Sequence, residues 1–250
     1  MSALDLIEVP TGAPARAVFT TRRGGVSIDG FAELNLGPDR DDPDERVRAN
    51  RARVCEALGL DPALVAMARQ VHGAGVREVG GPGDGGFLGH LRDWPEGDAL
   101  VTETPGAALV VLGADCLPVA LWRHDRPRVA AAHAGWRGLV SGVLEATVAA
   151  LGEPGAVGAA IGPGIGPCCY PVSAAVRERF AARFGDRVVS GDAVDLRAAA
   201  RRALTAAGVP AAAIRSVDAC TSCDPRRFYS YRRDGAATGR HAALVWAQAA

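Results

Sequence analysis

Between residues 113 and 139 the chain twice follows one plan: a short run of Val, Leu and Ala, a turn of small residues, and one strongly ligating side chain beside it. The first run, 107–112, leads into Gly113-Ala114-Asp115-Cys116-Leu117-Pro118-Val119, and the second, 129–132, leads into His133-Ala134-Gly135-Trp136-Arg137-Gly138-Leu139. Short apolar runs bounded by turns fit buried strands, and a strand that stops at such a turn presents the next side chain at the edge of its sheet. Cys116 and His133 are therefore expected at one site. A third candidate, His72 in Gln70-Val71-His72-Gly73, follows another apolar run, 64–68. One thiolate and two imidazoles make three protein ligands, and three ligands plus a position for water or substrate is how catalytic zinc is held.

With 250 residues, 48% of them hydrophobic, the chain can bury a large core. Basic and acidic residues balance at 28 each, so net charge does not point to nucleic acid, membrane or acidic partners. Every basic residue is Arg, and the absence of Lys excludes a Schiff-base lysine, a Walker-type phosphate loop and a Ser/Lys dyad. The first residues carry neither a basic region nor an apolar stretch, and no segment reaches the roughly 18 to 20 consecutive apolar residues of a membrane span. Six Cys are too few for a disulfide scaffold, and a cytoplasmic location is expected.

Taken in order, residues 15–21 read as a strand running into Arg22-Arg23-Gly24-Gly25. Two guanidinium groups beside a double Gly can bind an anion, but the reading favoured on sequence alone is a solvated turn. Residues 44–58 fit a helix, with Val47, Val54, Cys55 and Leu58 on one face and Gly59 after it; Cys55 is expected in the core. The Gly-rich stretch 80–86 is too irregular for an element, and His90 and His124 are expected at the surface. Asp98 opens a strand over 98–102. Asp115, directly before Cys116, is either an orienting group for a ligand or a turn residue, since strand alternation puts the two on opposite faces unless the chain turns.

Further helices are expected over 139–151, 173–184 and 195–207, and strands over 157–161, 214–217 and 241–246. The segment 162–170 fails as a dinucleotide fingerprint, since Pro167 stands at the third Gly, and reads as a rigid close-approach loop. Cys220-Thr221-Ser222-Cys223 has the spacing of redox and structural zinc sites. A structural zinc needs two more ligands, so inert thiols are favoured, with Cys168-Cys169 as partners only if space brings them together.

Several blocks, in order, resemble one family: Phe19 through Ser27, Asn35-Leu36-Gly37, Gln70 through Gly73, Asp98 through Thr102, Ala114 through Val119, His133 through Gly138, Ile161-Gly162-Pro163, and Tyr231 through Asp234 with Thr238-Gly239-Arg240. They are similar to the YfiH-type laccase-domain family, variously described as polyphenol oxidase, purine nucleoside phosphorylase with adenosine deaminase activity, and peptidoglycan editing factor. The resemblance implies an α+β fold, a single-domain four-layer α/β/β/α sandwich over residues 1–250, similar to the cytotoxic-necrotizing-factor catalytic fold. It implies a metal triad on His72, Cys116 and His133. Arg22, Asn35, Gln70, Asp98, Asp115 and Arg137, all in the matched blocks, are candidate substrate- or phosphate-binding residues.

Chemistry ranks the activities. A laccase needs a trinuclear copper cluster fed by many imidazoles, and the chain holds five His. Copper in a His₂Cys site would follow from the Irving–Williams order and give at most a side activity. Zinc at the triad supports phosphorolysis, with Arg22, Arg23, Arg137, Arg232, Arg233 and Arg240 as guanidinium groups for phosphate, and also attack of an activated water on purine C6. The usual deaminase signature is absent, which leaves Asp98 or Asp115 to move the proton. A zinc-dependent purine nucleoside phosphorylase acting on adenosine, inosine, guanosine and methylthioadenosine, with adenosine deaminase side activity, ranks first. A cysteine hydrolase, with Cys116 as nucleophile and His133 as base, that removes L-serine from a UDP-muramyl precursor ranks second, and a copper-dependent polyphenol oxidase third. The expected partners are a small-molecule nucleoside and phosphate.

Overall fold

The computed structural model describes residues 3–38, 41–81, 86–88 and 94–248. The central part of the Gly-rich stretch and His90 lie outside the described residues. Five strands form one sheet in the order β1 (Leu6–Val9), β2 (Ala15–Thr20), β13 (His241–Ala247), β6 (Ala108–Gly113) and β3 (Val65–Ala66). Six form a second: β12 (Ile214–Ser216), β9 (Val157–Ile161), β7 (Leu117–Arg123), β8 (Val129–Ala134), β5 (Ala99–Thr102) and β4 (Val76–Glu78). A separate hairpin joins β10 (Val189–Ser190) to β11 (Ala193–Val194).

Side-chain alternation explains how the sheets meet. In β8, Ala130, Ala132 and Ala134 pack into a core with helices, whereas Val129 and Ala131 face a different core that also contains Ala17 and Phe19 of β2, Leu109 and Val111 of β6, and Ala243 and Val245 of β13. The two sheets thus pack on each other through small and β-branched residues. On the outer side of the six-stranded sheet lie α2 (Trp136–Val140), α3 (Val143–Leu151), α4 (Ala174–Phe184) and α5 (Leu196–Ala206). α1 (Asp44–Leu58) covers the outer side of the five-stranded sheet. A short α6 (Tyr231–Asp234) precedes β13. The fold is a mixed α+β one.

α1 begins with Asp44 and Glu45 in its first turn and ends at Gly59, whose φ of 67° suits a residue without Cβ. Its buried stripe includes two polar residues, Asn50 and Arg51. Asn50 donates to Ser27 Oγ, Glu33 O and Asn35 O, and Arg51 donates to Leu36 O and Phe87 O, so the helix holds the loop that follows β2. The expected helix over 139–151 is two helices, because Gly142 adopts φ 86° and interrupts the ladder after Ser141. At α5 the Asp195 carboxylate caps Ala198 N at 2.9 Å. Among the described residues no helix is long and apolar enough to cross a membrane.

One feature of the topology positions the chemistry. β3 and β6 are parallel neighbours in the five-stranded sheet, yet each leads directly into a strand of the other sheet, β4 and β7. The chain therefore crosses between sheets twice at the same end, once through residues 67–75 and once through 114–116. His72 lies on the first crossing and Cys116 on the second, while His133 sits near the end of β8, on its inter-sheet face.

Candidate metal centre

The three ligating atoms of His72, Cys116 and His133 lie within 4.8 Å of one another. Each gets there differently. Cys116 follows Asp115, whose φ of 96° turns the chain out of β6 and into β7. His133 belongs to β8 itself, opposite Pro118, and is 3% exposed. His72 is in a loop and not on a strand; its φ of 61° turns the imidazole toward His133, with ring centroids 4.9 Å apart and planes at 80°. Gly135 keeps the centre open: a Cβ there would lie 2.8 Å from Cys116 Sγ and 3.1 Å from His72 Cδ2.

Asp98, fully buried, fixes two of the three candidate ligands. Oδ1 bonds His133 Nδ1 at 2.9 Å and accepts from His72 N at 2.9 Å; Oδ2 accepts from Val71 N at 3.2 Å and Gly73 N at 2.6 Å. Burial raises its pKa, but these bonds outweigh burial and hold it below the ordinary carboxylate range. With Nδ1 of His133 engaged, Nε2 is left to face Cys116, the carboxylate–histidine arrangement typical of metal centres. Burial likewise opposes a thiolate at Cys116 and a cation at His133; each nonetheless favours the other's charge, so the thiol pKa falls and the imidazole pKa rises. A soft thiolate with two imidazoles, held by an outer carboxylate, fits a tetrahedral divalent metal.

Gln70 ties the two crossings together. Its amide Nε2 donates to Leu112 O at 2.9 Å and its Oε1 accepts from Leu112 N at 2.8 Å, extending the β3–β6 pairing with a side chain. Asp115 makes its bonds elsewhere, accepting from Thr221 Oγ1 at 2.7 Å and Arg232 N at 2.6 Å. It is a turn residue that anchors a neighbouring wall. Asn35 is buried and accepts from Gly37 N and Arg240 N, so it positions two wall residues from behind.

The triad opens into a cavity of about 850 Å³. Among the described residues, Arg69, Arg137, Arg232 and Arg240 line it with one acidic residue, Asp115, whose oxygens are already engaged; Arg69 is paired with Glu96, and Arg240 donates to Thr238 O and Gly239 O. Trp94, Trp136, Tyr170 and Tyr231 supply aromatic surface. Arg137 stacks 4.7 Å over Trp136, and Arg232 lies 4.9 Å over Tyr170 while donating to Pro171 O. Arg22 is a correction to the sequence reading: it is absent from this wall, donating to Ala32 O and Pro225 O and stacking 4.6 Å over Tyr229. Arg23 bonds Arg226 O, and Arg233 bonds Thr221 O, Ser222 O and Phe228 O, so both also serve the backbone. Arg69, Trp94, Tyr170 and Tyr231 were not singled out by sequence reasoning. Tyr231 alone carried a visible signal, an aromatic residue in the arginine-dense run Tyr231-Arg232-Arg233, and the structure leaves it 55% exposed.

The other described imidazoles are not part of the triad, although His241 pairs across the sheet with Gly113 of the cavity wall. His124 is exposed beside Trp122, and His241 is buried against Phe228 and Tyr229, its pKa pushed down to about 3 by burial and by Arg240.

A family model described as multi-copper polyphenol oxidoreductase laccase matches residues 16–248. A Pseudomonas aeruginosa protein named purine nucleoside phosphorylase is 42% identical, with 96% of each chain covered. The Escherichia coli protein named purine nucleoside phosphorylase YfiH is 37% identical over 98% of this chain and 99% of its own. Among solved structures, YlmD from Geobacillus stearothermophilus superposes with a TM-score of 0.89 at 33% identity, covering 96% of this chain and 94% of that one. YfiH from Bacillus licheniformis gives 0.87 at 31% identity, over 94% and 93%. Matched along nearly its whole length by that model and by these relatives, the chain belongs to the laccase-like domain family of YfiH proteins.

Proposed function

We propose that the chain is a zinc-dependent purine nucleoside phosphorylase, acting on adenosine, inosine, guanosine and methylthioadenosine, with adenosine deaminase side activity. The observation that carries this reading is the composition of one cavity: a His₂Cys centre, aromatic walls, and guanidinium groups of which Arg137 and Arg232 stack on the aromatic wall. Aromatic faces suit a purine, and arginine forks suit phosphate. The names of the relatives point the same way. We read residues 1–250 as one domain with the α/β/β/α layering and the cytotoxic-necrotizing-factor likeness that the family resemblance implies. Six free thiols suit a cytoplasmic location.

His72, Cys116 and His133 would hold the zinc, which supplies a Lewis acid at the end of the cavity. Arg137 and Arg232 would orient phosphate so that one oxygen attacks C1′ of the ribose. The C1′–N9 bond breaks, its electron pair goes to the base, and the proton carried by phosphate ends on the purine. Trp136 and Tyr170 keep water from that carbon. Copper, favoured at nitrogen and sulfur donors by the Irving–Williams order, would displace zinc wherever it is available, so misloading in vitro is expected when copper is supplied. A trinuclear copper cluster beside a blue-copper site would need more imidazoles than the five His of the whole chain supply.

Inosine is expected to give hypoxanthine and ribose 1-phosphate only when phosphate is present, and adenosine to give inosine without phosphate; product chromatography reads both. Base release that ignores phosphate would refute phosphorolysis. The mutual charging of Cys116 and His133 favours one competing reading, a cysteine hydrolase. Failure to turn over any purine nucleoside, together with release of L-serine from a UDP-muramyl precursor, would establish that reading instead.

Arg137→Gln should raise the KM for phosphate about 10- to 100-fold with zinc content unchanged, since a charge-assisted pair contributes roughly 1.5 to 3 kcal/mol. Arg22→Gln serves as the comparison and should leave that KM alone. Equal phosphate dependence in both variants would remove Arg137 from the phosphate site.

A further inference from the structure

Four of the six cysteines remain after Cys55, buried under α1, and Cys116 are set aside. All four come together. β9 and β12 are parallel neighbours, and the chain leaves both at the same end. The loop after β9 carries Cys168 and Cys169, and the loop after β12 carries Cys220 and Cys223. A bridge between Gly164 and Cys220 and the bond from Thr221 N to Gly164 O hold the two loops side by side. The four Sγ atoms then lie within 4.8 Å of one another, Cys223 being 3.5 Å from Cys168 and 3.4 Å from Cys169.

We propose that Cys168, Cys169, Cys220 and Cys223 form a second metal site, a structural tetrathiolate zinc that braces the cavity wall. Geometry argues for a single ion. A tetrahedron with Zn–S bonds of about 2.3 Å has S···S edges of about 3.8 Å, close to the separations found here. Disulfide sulfurs would be about 2.05 Å apart, and the thiolates around a polynuclear iron–sulfur cluster would spread beyond this span. The backbone is arranged as for a thiolate ligand: Gly166 N donates to Cys220 Sγ at 3.2 Å, and the Arg233 guanidinium holds the carbonyls of Thr221 and Ser222 inside the Cys-x-x-Cys turn. Such amide–sulfur bonds offset the negative charge of four sulfurs around one dication. Binding releases the thiol protons, so the site tightens as pH rises.

The site has a structural consequence. Tyr170 on the cavity wall directly follows Cys169, and Thr221 inside the Cys-x-x-Cys turn donates to Asp115, whose other oxygen holds the backbone of Arg232. An ion clamping these loops fixes one side of the cavity whatever reaction occurs there.

The test counts zinc where the triad cannot hold it. The double variant His72→Ala/Cys116→Ala, purified without added metal, should carry about one zinc per chain by mass spectrometry, with four thiols shielded from alkylation until a chelator is added. Adding Cys220→Ser and Cys223→Ser should lower zinc below about 0.1 per chain. Cobalt substituted into the double variant should show sulfur-to-metal charge-transfer bands in the near ultraviolet, a readout that stands even if the quadruple variant fails to fold. Zinc below about 0.1 per chain in the double variant with four freely alkylated thiols, a mass showing disulfides, or stoichiometric iron would overturn the proposal. Because the triad is removed throughout, none of these results depends on the phosphorylase reading.

Discussion

Replacing Cys116 by alanine should give a folded protein whose zinc at the triad is at least a hundredfold weaker and whose phosphorolysis falls below about 1% of the parent. The magnitude follows from sharing an apparent zinc-binding free energy of about 10 to 16 kcal/mol among four ligands, about 3 kcal/mol for each. Folding should survive, because Cys116 is only half-buried on a three-residue crossing and its sulfur faces the cavity, away from the inter-sheet core. Chelation of the parent protein separates the two readings of this residue. Under the phosphorylase reading, a chelator that strips zinc abolishes turnover and added zinc restores it. Under the hydrolase reading, the metal-free thiolate beside His133 is the active form, so chelation leaves activity intact or raises it. Full activity in Cys116→Ala would sink both.

The triad was legible in the sequence because strands that end in turns present side chains at predictable places. The route was legible only in outline. The apolar run 64–68 points to His72, but His72 lies on a loop well past the strand's end, because β3 stops at Ala66 and Gln70 continues its pairing through a side-chain amide. Cys116 was expected at a strand end, but no local pattern shows that β6 and β7 belong to different sheets. That crossing depends on a left-handed Asp115 held by Thr221 and Arg232, over a hundred residues away in sequence. Composition could not tell wall arginines from backbone-holding ones either. Arg22 and Arg137 looked alike as candidates, and only packing assigns the first to Ala32, Pro225 and Tyr229. The helices were easier, since α1 and α5 carry apolar residues at helical spacing with acidic starts and small residues after them.

Removing Asp98 should have the second large effect, and its form would show what this carboxylate does. All four groups around it are donors: the amides of Val71, His72 and Gly73, and His133 Nδ1 when Nε2 faces the metal. Asp98→Ala leaves three part-buried amides without that partner, a loss of about 3 kcal/mol at roughly 1 kcal/mol for each. Asp98→Asn keeps the shape but presents an NH₂ group to a circle of donors, so one oxygen must serve where two did. The left-handed turn at His72 and the orientation of His133 then loosen together, and zinc affinity should fall about 10- to 100-fold, the usual cost of losing an outer partner of a metal-binding imidazole. The sequence also allowed Asp98 to be the proton carrier in deamination. In that role Asp98→Asn would bind zinc like the parent, melt at the same temperature and lose only deamination, with phosphorolysis of inosine unchanged. A positioning role instead predicts that zinc affinity, melting temperature and both reactions decline together, and that saturating zinc restores part of the turnover in Asp98→Asn.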